Sequence, residues 1–175
     1  MSIPFENTDY SEAALVVIPY PAQNHAYFSL TNDFTKDGGG LTDLTSTGNS
    51  FTEIKKLSND VTNNNNGTFT INTAGTYHII YRLQLLSRAS GSGFARASLR
   101  FKPNGSSTIS TISECLSLES SSSYEVYVPF MINYLNSFDA GDTIILSAVN
   151  NSHTYAVSGQ SGTNVRTSVS FVRIA

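Results

Sequence analysis

The chain has 175 residues, a net charge of −3 and charged side chains at only 13% of positions. That length suits one domain burying roughly 70% of the surface its unfolded chain exposes, and the single cysteine, Cys115, excludes an internal disulfide, so packing must hold it. The ten Lys and Arg are scattered from Lys36 to Arg173, which argues against nucleic acid, and no apolar run approaches the ~20 residues of a membrane span, which argues against membrane insertion.

Residues 1–24 differ from the rest. Met1 to Gln23 lacks the basic start and continuous apolar middle of a signal peptide, and its longest apolar run, Ala13 to Ile18, is only strand-sized. Pro4, Pro19 and Pro21 remove ladder donors, so the segment lends at most an edge strand and reads as an arm ahead of a domain over 25–175. Asp37 to Gly40 is a glycine-rich loop, but no helix signal and no Lys-Ser/Thr follows, which leaves a phosphate cradle unsupported.

Helical periodicity is absent, and Gly, Asn and Ser clusters punctuate the chain as in an all-β sandwich. Strands are predicted at 26–30, 52–57, 68–71, 76–87, 94–102, 108–118, 124–136, 143–150 and 165–174. The stretch Gly67 to Leu83, G-T-F-T-I-N-T-A-G-T-Y-H-I-I-Y-R-L, is the most informative. It is a short strand, a turn through Asn72 to Gly75, and a long strand of period two. Tyr77, Ile79, Tyr81, Leu83 and Leu85 share one face, and His78, Ile80, Arg82 and Gln84 the other. The first face is core; the second, part apolar and part hydrogen-bonding, is expected to meet protein. Asn63 to Gly67 tolerates left-handed backbone, and Asp139-Ala140-Gly141-Asp142 supplies glycine where positive φ is needed.

No catalytic constellation emerges. His25, His78 and His153 each stand alone, none beside a G-x-S-x-G elbow, and a lone mid-strand histidine such as His78 is ordinarily a packing residue. C-x-x-C, H-x-H and H-E-x-x-H are missing, so no metal and no cofactor is expected. Loop calcium at Asp139 and Asp142, or near Asp37 and Asp43, is the alternative to simple capping of backbone amides. Cys115 lies in an apolar and Ser-rich strand as a small hydrophobe, and the sequons at Asn66, Asn104 and Asn150 fall in or beside loops of an Asn-rich chain.

Three segments together carry a resemblance: G-T-F-T-I-N-T-A-G-T-Y-H-I-I-Y, then S-L-R-F-K-P-N-G at 98–105, then L-N-S-F-D-A-G-D-T-I-I-L at 135–146. In order and spacing they resemble the tumour necrosis factor fold and the globular heads of complement C-one-q, over about 26–175. The closing S-V-S-F-V-R-I-A at 168–175 is similar to that family's last strand. The resemblance implies a ten-strand jelly-roll β-sandwich that assembles as a homotrimer, with one sheet packed around the threefold axis. It implies subunit contacts at His78, Ile80 and Arg82, at Tyr127, Pro129 and Met131, and at Ser168, Ser170, Val172 and Ile174. The chain lacks the signal peptide and Gly-X-Y stalk of animal members, so a receptor-binding cytokine role does not carry over. The fold also resembles trimeric knobs on phage and virus particles and on bacterial spores. The expectation is a non-enzymatic virion-surface protein, a capsid decoration or head-fibre knob, bound to a major capsid or other shell protein through Ile3, Phe5, Leu15, Val17 and Ile18 of the arm. The alternative is a receptor- or glycan-binding head of a tail fibre, or of a bacterial spore or cell surface.

Overall fold

Alternation along one long strand sets the frame of the fold. The computed structural model describes residues 24–32, 34–36, 42–44, 51–56, 58–87, 93–119, 126–150, 155–157 and 166–174. The arm residues Ile3, Phe5, Leu15, Val17 and Ile18, His153 and the loop 37–40 lie outside them. The strands are β1 (Asn24–Leu30), β2 (Phe34–Lys36), β3 (Thr42–Asp43), β4 (Phe51–Lys56), β5 (Val61–Asn63), β6 (Thr68–Ile71) and β7 (Gly75–Ser87). They continue with β8 (Gly93–Lys102), β9 (Ser110–Glu119), β10 (Val126–Phe138), β11 (Thr143–Asn150), β12 (Tyr155–Val157) and β13 (Ser168–Arg173). All nine predicted strands are present, and the jelly-roll sandwich is the fold. The pieces not foreseen, β2, β3, β5 and β12, span two or three residues each, too short for a period-two pattern to register.

Sheet A runs β2-β12-β7-β13-β1-β4, with β10 on the free side of β7; sheet B runs β5-β6-β11-β8-β9, with β3 also against β11. Every pairing is antiparallel. Strand β7 is the centre of sheet A, zipped to β10 from Gly75↔Phe138 to Ser87↔Val126 and to β13 from Tyr77↔Arg173 to Arg82↔Ser168. Its Tyr77, Ile79, Tyr81, Leu83 and Leu85 are all buried, the core face expected of them. At roughly 1.5–3 kcal/mol per buried large apolar side chain, that one face contributes on the order of 10 kcal/mol toward burial. Pro129 sits in β10, which pairs only with β7 among the described residues, so its missing N–H costs no ladder bond on the open edge.

Two aromatic groups join the sheets. Phe69 of β6 meets Phe28 of β1, Phe171 of β13 and Phe51 of β4 at ring-centroid distances of 5.1, 5.2 and 5.6 Å. At the other side Phe138 meets Phe101 at 5.6 Å and Tyr77 at 6.3 Å, tilted or edge-on as ring quadrupoles favour. Cys115 is half-buried against this core, consistent with its reading as a small hydrophobe.

The turn between β10 and β11 is a capped corner. One carboxylate oxygen of the buried Asp142 accepts the Asn104 N–H at 2.9 Å and the other accepts the Asp139 N–H at 2.8 Å. The Gly141 N–H donates to Ile71 O at 2.7 Å, and Asn104 Nδ2 donates to Ala140 O at 3.1 Å. Asp142 therefore caps amides, as acidic turn residues ordinarily do. Gly141 has φ +92°, and a β-carbon there would lie 2.4 Å from Asn104 Nδ2. Gly141→Ala combines left-handed strain with loss of the Asn104 contact, and should lower unfolding stability by about 1–3 kcal/mol. Denaturant melts should show this shift in midpoint without a change in slope.

Candidate interaction face

The period-two rule that buries Tyr77 and Ile79 turns His78, Ile80 and Arg82 to the opposite face of sheet A, and the register lines them up with neighbours from three more strands. One row runs Leu135–His78–Val172–His25 across β10, β7, β13 and β1. The next is Asn133–Ile80–Ser170–Tyr27, and the third Met131–Arg82–Ser168–Ser29. The resemblance-derived set thus gathers on one continuous surface. Tyr127, opposite Leu86, shares the odd-numbered register of Pro129 and Met131, and Ile174 follows β13, its N–H bonded to Thr76 O at 2.8 Å.

The surface is graded. Ser29 and Ser168 are buried, His25, Tyr27, His78, Ile80, Ser170 and Val172 half-buried, and Arg82 and Pro129 exposed. Large apolar side chains remain in solvent on it: Leu135, 60% exposed, and Met131, 55%, along the β10 border, and Ile174, 58%, just past the end of β13 on the other side of β7. Three such groups on one sheet face, amid a surface otherwise rich in Ser, Thr and Asn, form an apolar patch of the kind that marks a protein contact. A groove of about 240 Å³ lies between His25, Tyr27, Ile80 and Arg82, and a second, about 450 Å³, between Arg82, Gln84, Pro129, Met131 and Arg166. Both are open depressions, suited to receiving side chains.

Leu135 and the β1 residues His25 and Tyr27 belong to this face but were not among the expected contacts. Leu135 was legible, since it shares parity with Met131; His25 and Tyr27 needed the β1–β13 pairing, which joins segments more than 140 residues apart. At the end of the same sheet, Arg173 Nε and the largely buried Asp60 carboxylate form an ion pair at 3.4 Å. The Tyr77 hydroxyl donates to Thr73 O at 2.6 Å, and burial, reinforced by Asp60, pushes its pKa up to about 12. These contacts tie β7 and β13 to the segment around Asp60. Among the described residues, no three His, Cys, Asp or Glu side chains converge.

Comparison with solved structures fits this architecture. The chain superposes on the Eiger TNF of S. frugiperda with a TM-score of 0.66 at 12% identity, covering 88% of this chain and 94% of that one. Murine APRIL, crystallised at pH 5.0, matches with a TM-score of 0.60 at 11% identity, over 86% of this chain and 99% of that one. At such identities the likeness establishes the fold: a TNF-like jelly roll. No family model and no curated protein sequence matches the chain.

Burial, and then the nearby Lys55 charge, lower the His25 pKa from the usual 6.5. As pH falls through 6.5 the unfolded chain therefore takes up the proton before the folded one, and stability drops until the folded-state value is passed. Melting temperature should fall between neutral and mildly acid pH, and the slope should flatten in His25→Gln. An equal slope in both would show that His25 does not carry the effect.

Proposed function

We propose that the protein is a non-enzymatic assembly and binding module, a homotrimer whose subunits meet through the outer face of sheet A. The observation that carries this reading is that Leu135, Met131 and Ile174, all on this one face, are each more than half exposed, on the same face as a groove lined by Ile80 and Tyr27. Leaving them in water forfeits about 25 cal/mol for each Å² that a second subunit would cover. A threefold axis supplies such a cover three times over from one sequence. The resemblance read from the sequence points the same way, since it implies contacts at His78, Ile80, Arg82, Met131, Ser170 and Val172.

Sedimentation at micromolar concentration should give three times the 18.9 kDa chain mass. Met131→Asp and Leu135→Asp, both on exposed positions that tolerate a carboxylate in the monomer, should each convert the trimer to folded monomer. Unpaired charges in a closed interface are costly, and symmetry repeats them three times. A trimer of unchanged melting temperature in both variants would place the interface elsewhere.

Within that class, the reading we favour is display on a larger particle, a phage or virus shell, with residues 1–24 as the attachment segment. Its support is in the sequence: Ile3, Phe5, Leu15, Val17 and Ile18 supply apolar surface, while Pro4, Pro19 and Pro21 hinder pairing within the home sheet. Among the described residues the first strand is β1, from Asn24. Three arms on one trimer multiply attachment through effective concentration. A chain shortened to begin at Gln23 should fold and trimerise but no longer co-sediment with particles of the producing organism's phage. Undiminished decoration by the shortened chain would assign attachment to the jelly roll.

A further inference from the structure

The sequence contains two Asn-Gly pairs, Asn66-Gly67 and Asn104-Gly105, and the fold treats them oppositely. The structure assigns Asn66 as a site of spontaneous backbone rearrangement, at which its side-chain amide is lost through a cyclic imide, and Asn104 as its protected counterpart. The reaction needs only water as co-reactant. The Gly67 amide nitrogen, giving up its proton, attacks Cγ of Asn66 and forms a new C–N bond. The Cγ–Nδ2 bond breaks, and Nδ2 leaves with the proton as ammonia. Water then opens the five-membered imide at either carbonyl, yielding aspartate or, where the backbone carbonyl is attacked, isoaspartate. No electrons are transferred.

Three features of the Asn66 turn favour this chemistry. First, the side-chain carbonyl folds back across the Gly67 peptide: Asn66 Oδ1 accepts the Thr68 N–H at 3.1 Å and the Thr68 hydroxyl at 2.6 Å. That closes a ring over the attacking nitrogen, in the manner of an Asx turn. Second, those same two donors lie on the oxygen that becomes negative as the nitrogen adds, so they are placed to stabilise the tetrahedral intermediate. Third, neither the Gly67 N–H nor Asn66 Nδ2 is engaged by any described residue, so nucleophile and leaving group start free. Glycine at position 67 adds no side chain to hinder the approach, and its φ of +73° suits no other residue readily.

At Asn104 these conditions are reversed. Its Nδ2, the group that must leave, donates to Ala140 O at 3.1 Å, and its own N–H is fixed by the Asp142 carboxylate at 2.9 Å. The amide lies against Gly141, where a β-carbon would come within 2.4 Å of it. Rotation of the side chain toward Gly105 requires this capped corner to open first.

Rearrangement at Asn66 has a mechanical consequence. The isoaspartyl form inserts a methylene into the main chain beside Gly67, whose carbonyl accepts the Leu146 N–H at 3.1 Å and whose α-carbon abuts the Leu44 carbonyl. Leu44 N–H in turn donates to Leu146 O at 2.8 Å. The lengthened backbone therefore disturbs the junction of β3, β6 and β11, while the new carboxylate adds negative charge to an exposed turn. The protein carries a time-dependent change located in sheet B, away from the proposed interaction face.

The test uses the full-length protein held in mildly alkaline buffer, with peptide mapping by mass spectrometry and an isoaspartate assay over weeks. Native protein should convert Asn66 at least about tenfold faster than Asn104, the rate equivalent of one restraining hydrogen bond of about 1.4 kcal/mol that must break first. In urea, where both pairs are simply Asn-Gly, the two rates should converge. Thr68→Ala, which removes the hydroxyl donor, should slow conversion at Asn66 in the native state. Equal rates in the native protein, faster conversion at Asn104, or an undiminished rate in Thr68→Ala would each overturn the assignment.

Discussion

Everything in this molecule depends on the two-sided demand placed on strand β7. Because successive side chains point to opposite faces, the strand that lays Tyr77, Ile79, Tyr81, Leu83 and Leu85 into the core must present His78, Ile80, Arg82 and Gln84 outward. Pairing with β10 on one side and β13 on the other leaves no freedom to slip, since a shift of one residue would exchange the faces entirely. The core and the candidate interaction face are consequently one structural decision. A change that loosens the core of sheet A also misaligns the rows in which Leu135, His78, Val172 and His25 stand.

The two sheets are joined by side chains more than by backbone. Phe69 is the hub on one flank and Phe138 on the other, each touching rings from strands far apart in sequence. Between them, Asp142 ties three chain segments together at one corner, using both carboxylate oxygens on backbone amides and its own carbonyl on the Ile71 N–H at 2.8 Å. A buried carboxylate is tolerable only when its lone pairs are filled in this way. This corner also keeps Asn104 from the rearrangement assigned to Asn66, so a cap built for stability acts as a chemical safeguard.

Sheet A carries the proposed face of assembly, and sheet B, with its Asn-rich turn at 63–66, the turn at which slow chemistry is proposed. Two of the longest strands, β10 and β9, are each paired on one side only among the described residues, as are the shorter β2, β3, β4 and β5. Pro129 and the exposed polar residues Asn133, Asn136 and Ser137 blunt the β10 edge against indiscriminate strand pairing, in keeping with a contact made through side chains.

The nine longer strands were legible in the sequence because period-two alternation and the Asn, Gly and Asp turns are local signals; 68–71 and 143–150 match to the residue. The outward placement of His78, Ile80 and Arg82 followed from the same parity, and that of Met131 from the resemblance. Other things were decided only in three dimensions. Pairing β1 with β13 brings His25 and Tyr27 beside Val172 and Ser170, and no periodicity within either segment encodes that long-range register. The short strands β3, β5 and β12 exist because longer neighbours offer them hydrogen-bonding edges, and β2 in turn pairs on β12, not because two or three residues prefer to be extended. The contrast between Asn66 and Asn104 is of the same kind. Both are followed by glycine, and only the position of Thr68 on one side and of Ala140, Gly141 and Asp142 on the other makes one amide labile and the other secure.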